Sequence, residues 1–64
     1  MNKIEDSLNT RLRSLEDAKH RAEKLLQDEG LSHAHEVIVV LLANIVMAYA
    51  YTQSSLTLLK EKGE

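Results

Sequence analysis

The sequence predicts an all-α fold: an antiparallel two-helix hairpin that dimerises into a four-helix bundle. Three observations carry that expectation. Apolar residues recur at helical spacing through the first half of the chain, at Ile4, Leu8, Leu12, Leu15, Ala18, Ala22 and Leu25. A single internal glycine, Gly30, divides the chain near its midpoint, and with no proline present nothing else interrupts a helix before Gly63. The third observation is size. A chain of 64 residues buries a small share of its surface, and proteins this short commonly add disulfides, a structural metal or oligomerisation. With no cysteine, disulfides and thiolate zinc sites are excluded, so a second copy or a partner is the expected source of extra stability.

The first helix is expected from about residue 3 to residue 29. Asn2 followed by Glu5 resembles a capping box, in which the Asn oxygen accepts from the first free backbone amides and the Glu reaches back. Gly30 suits the left-handed conformation that ends many helices, which makes residues 30–32 the turn. Ser32 is the natural N-cap of a second helix over about residues 33–61. At 1.5 Å per residue both helices are about 40 Å long, and two matched helices joined by so short a turn lie antiparallel. The β-branched run Val37-Ile38-Val39-Val40 has no period-two alternation and no partner strand, so it reads as helix. Residues 1–64 form a single domain, without internal repeats, low-complexity tracts or a cleavable secretory signal.

The apolar residues are unevenly divided, nine in residues 1–30 and nineteen in residues 31–64. The second helix carries one seam at Leu31, His35, Ile38, Leu42, Ile45, Tyr49, Thr52, Leu56 and Leu59, a heptad-like repeat that packs on the first helix. Ile38, Leu42, Ile45, Tyr49 and Leu56 are its expected core. A second seam of the same spacing runs beside it through Val37, Leu41, Asn44, Ala48, Tyr51, Ser55 and Leu58, and Val39, Ala43, Val46 and Ala50 begin a third. One narrow stripe from the first helix cannot cover them all, and an uncovered apolar surface marks an interface. Val37, Leu41, Asn44, Ala48 and Tyr51 are therefore the expected partner or oligomer surface. Asn44, a lone amide in the apolar block, is suited to fixing register against a symmetry mate.

Lipid is the competing cover, since Val37–Leu59 is a 23-residue run without formal charge. Against it, the second half of that run holds Thr52, Gln53, Ser54, Ser55 and Thr57, and the densely apolar part is of core-helix length. A single-pass membrane protein with the second helix as its span is thus the alternative reading. Eight basic and ten acidic residues give a net charge of −2, and their signs are interspersed along the first helix in pairs such as Glu16–His20 and Asp17–Arg21. That pattern argues against a nucleic-acid surface. His33 and His35 are two residues apart and diverge around a helix, poor geometry for one metal even with His20 available on the first helix. Tyr49 and Tyr51, the only aromatics, read as core and interface residues. No glycine-rich loop, paired carboxylates or Ser/His/Asp set is held rigid on so small a scaffold, which argues against an enzyme and implies no cofactor.

In length and connectivity the hairpin resembles that of the Rop-like plasmid regulators, which would imply an RNA-binding dimer. The opening Met1-Asn2-Lys3-Ile4-Glu5-Asp6-Ser7-Leu8, with the chain's size, looks like the small co-chaperones that keep type III secretion needle subunits soluble. That likeness would imply a helical protein partner. Taken together, the residues point to a non-enzymatic cytoplasmic interaction protein, acting through self-association and through a helical or hydrophobic partner segment.

Overall fold

The computed structural model describes residues 2–63 and is all-helical, with no strand among them. Helix α1 spans Lys3–Leu26 and helix α2 spans His35–Glu61, joined through a short 3-10 turn at Glu29–Ala34. The two helices lie side by side as a hairpin measuring 48 × 16 × 11 Å. Its radius of gyration of 14.9 Å exceeds the roughly 11 Å of a compact domain of this length.

Asn2 starts α1 as its spacing predicts. Its backbone is extended, and its side-chain oxygen accepts from the Ile4 amide at 2.9 Å and the Glu5 amide at 3.3 Å. Glu5 and Asp6 in the first turn and Lys24 in the last complement the helix dipole. The far end departs from expectation. α1 stops at Leu26 rather than near residue 29, with Gln27 as its C-cap in a right-handed conformation. Gly30 has no positive φ and ends no helix. Asp28 interrupts the chain instead: it is extended, and its carboxylate accepts from the Gly30 amide at 2.9 Å, capping the 3-10 turn. A Cβ on residue 30 would lie 3.2 Å from that carboxylate oxygen, so glycine serves close approach rather than a left-handed turn.

α2 likewise begins at His35, not residue 33, and Ser32 is not its cap. The 3-10 turn runs into α2 through Ala34, so the Ser32 carbonyl accepts from the His35 amide and no capping side chain is used. The run Val37–Val40 is helical, as its lack of alternation predicts.

The contact between the helices is one stripe from each. α1 contributes Leu8, Leu12, Leu15, Ala18, Ala22 and Leu26; α2 contributes Ile38, Leu42, Ile45, Tyr49, Thr52, Leu56 and Leu59. Ala22 is 2% exposed and Ile38 6%, and with Leu56 and Thr52 they are the buried residues among those described. The Thr52 hydroxyl donates to the Ala48 carbonyl at 2.8 Å, which lets a polar side chain sit in the seam without an unmet hydrogen bond. Three expected seam residues fall outside. Ile4 and Leu25 are exposed because the stripe passes through Glu5 and Leu26, one position further on, and His35 is exposed at the start of α2. Of the two expected ion pairs, Asp17–Arg21 forms at 2.9 Å, whereas His20 faces Glu23 at 3.4 Å rather than Glu16.

Candidate functional site

The two helices differ in how their apolar residues are arranged. α1 is amphipathic, with one apolar stripe and a charged remainder, whereas α2 is apolar on nearly every side between Val37 and Tyr51. Because α1 covers one stripe only, most of α2 is left open. Val37 is 72% exposed, Tyr51 68% and Leu41 46%, values far above those of a core.

Of the five residues expected at an interface, Val37, Leu41, Asn44 and Tyr51 are exposed and lie along one side of α2. Ala48 is half-buried, at the border between this side and the seam facing α1. The two stripes differ by one residue position, or about 100° around the helix axis. Val40 and Met47, which no sequence seam included, are also exposed and lie three residues after Val37 and Asn44. The i, i+3 spacing that places them beside the stripe was the signal available for finding them.

Grooves run along both flanks of the seam between the helices. On the Leu41 side, a groove runs between the helices, lined by Ser14, Ala18, Ala22 and Leu25 of α1 and by Leu41 and Ile45 of α2, with Asp17 and Arg21 paired on its rim. Small side chains make its floor. On the other side, Val46 and Tyr49 sit beside Glu16 and Lys19, and Asp6 and Arg13 line a further polar groove against Tyr49. Charged side chains thus rim this flank too, and Val46 is as exposed as Leu41.

Within Glu29–Glu61 one helix is long and apolar enough to cross a membrane by length and composition, and only 6% of its apolar window is buried in the hairpin. Ser55 and Thr57 donate to the carbonyls of Tyr51 and Gln53 at 3.0 and 3.1 Å, so these hydroxyls satisfy themselves within the helix. Among the described residues no group of three His, Asp or Glu side chains is placed to hold a metal, and His20, His33 and His35 are all exposed. No protein-family model, no curated protein and no solved structure matches the chain.

Proposed function

We propose that this chain is a non-enzymatic helical interaction protein of the cytoplasm. It acts through the open side of α2, by assembling two hairpins into a four-helix bundle and by presenting the remaining apolar surface to a helical or hydrophobic partner segment. The observation that carries this reading is the exposure of Val37, Leu41 and Tyr51 in one row on a helix whose adjacent side, about 100° away, packs on α1. A helix apolar on all sides needs more than one neighbour.

The membrane reading draws on the same apolar run but conflicts with the hairpin. α1 lies along α2, and Glu16, Lys19, Asp17 and Arg21 sit at the level of Leu41, Ile45, Val46 and Tyr49. Inserting α2 into a bilayer would carry those charges to membrane depth or pull the helices apart.

Sedimentation in detergent-free buffer over a concentration series tests the proposal. A discrete dimer or tetramer is expected. A chain soluble only in detergent would overturn the reading in favour of a membrane span.

A further inference from the structure

The reading above, on which this inference rests, gives the open side of α2 to both a second hairpin and a partner segment and leaves open which of them covers the Asn44 stripe, and in what direction and register. We propose that the occupant is a second copy of this chain, its α2 running antiparallel, with Asn44 of each copy facing the other at the two-fold axis.

Surface area supports a partner of this size. The hairpin exposes 5071 Å², whereas a compact monomer of its mass exposes about 4,100 Å². The excess is close to the roughly 800 Å² that each partner buries in a standard interface.

The stripe also has an internal symmetry. Val37, Leu41, Asn44, Ala48, Tyr51, Ser55 and Leu58 follow one another at alternating steps of four and three, the seam of a coiled coil. Asn44 is the midpoint of the apolar block Val37–Tyr51. A two-fold axis there sets Val37 against Tyr51 and Leu41 between Met47 and Ala48, runs the stripe of each copy along the full length of the other's, and brings the two amides together. Each amide carries both donor and acceptor, so the pair satisfies itself. A register shifted by a heptad would separate the two amides and set each against Val37 or Tyr51 instead.

Charge selects the direction. In the antiparallel register Glu36 comes level with Thr52 of the second copy and Lys60 lies beyond the first turn of its α2, so neither meets its own mate, whereas parallel helices would set Glu36 against Glu36 and Lys60 against Lys60. The groove floored by Ser14, Ala18 and Ala22 beside Leu41 gives the incoming helix room, and the offset of about 100° between stripes approximates the corner of a square of four helices.

Because the chain has no cysteine, single cysteines report the register directly. Asn44→Cys is expected to form a disulfide-linked dimer on oxidation. Val37→Cys alone and Tyr51→Cys alone are expected not to, since each would lie about 21 Å from its own mate along the axis, beyond disulfide reach. A mixture of the Val37→Cys and Tyr51→Cys chains, both of which keep Asn44, is expected to give a cross-linked heterodimer. If wild type sediments as a dimer but Val37→Cys links to itself, or the mixture fails to link, the register is overturned while the interface stands. If wild type stays monomeric at every concentration, the second copy is overturned as the occupant, and if it needs detergent, lipid replaces it.

Discussion

α1 and α2 are of similar length and pack along each other, yet they make different use of their surfaces. α1 commits its apolar residues other than Ile4 and Leu25 to one stripe and gives most of the rest of its circumference to polar and charged side chains, so a single neighbour covers that stripe. α2 meets α1 through an equivalent stripe and then repeats the pattern one residue earlier, through Val37, Leu41 and Asn44. The comparison shows that amphipathicity, more than length or total apolar content, decides how many neighbours a helix requires. Within one hairpin most of the apolar circumference of α2 stays open.

The sharpest way to break the comparison is to place charge on the open stripe. Leu41→Glu and Val37→Glu are each expected to weaken association by at least about 2 kcal/mol and convert the assembly to monomers by sedimentation, while the chain stays helical by circular dichroism. Val46→Glu, on the opposite flank beside Glu16 and Lys19, is expected to leave the sedimentation profile unchanged. Equal loss from both flanks would show that α2 is covered all round.

Next in size is the seam that the two helices share. Ile38→Ala removes one of the few buried side chains and is expected to cost about 2 kcal/mol or more in urea unfolding. Ala22→Leu, at the most buried position, is expected to force the helices apart at about 1–3 kcal/mol. A smaller effect belongs to α1 alone: Asn2→Ala leaves the Ile4 and Glu5 amides without their acceptor and should lower stability by about 1 kcal/mol in thermal unfolding. The smallest is Arg21→Ala. It removes an exposed i, i+4 pair with Asp17, and a double-mutant cycle is expected to return a few tenths of a kcal/mol.

Much of this molecule was legible from local pattern. The helical class, the Asn2 cap, the Asp17–Arg21 pair and the heptad-like spacing of the α2 stripes depend on residues within one or two turns of each other, where backbone geometry alone sets who meets whom. The connection was not legible in the same way. Gly30 and Ser32 carry strong generic signals for a helix end and a helix start, but the Asp28 carboxylate captures the Gly30 amide first and turns the segment into a 3-10 turn, ending α1 at Leu26.

The unequal division of apolar residues between the two helices is written in the order of the amino acids. Which side stays open is not. Neighbouring stripes on α2 are nearly equal in apolar content, so propensity and periodicity rank them alike. Packing against α1 separates them, placing Ile38, Thr52 and Leu56 inside, Ala48 at the border, and Val37, Leu41, Asn44 and Tyr51 in the open. The same rotation exposes Ile4 and Leu25, because each helix turns its own stripe to the other and a contact between two surfaces is a property of neither one alone.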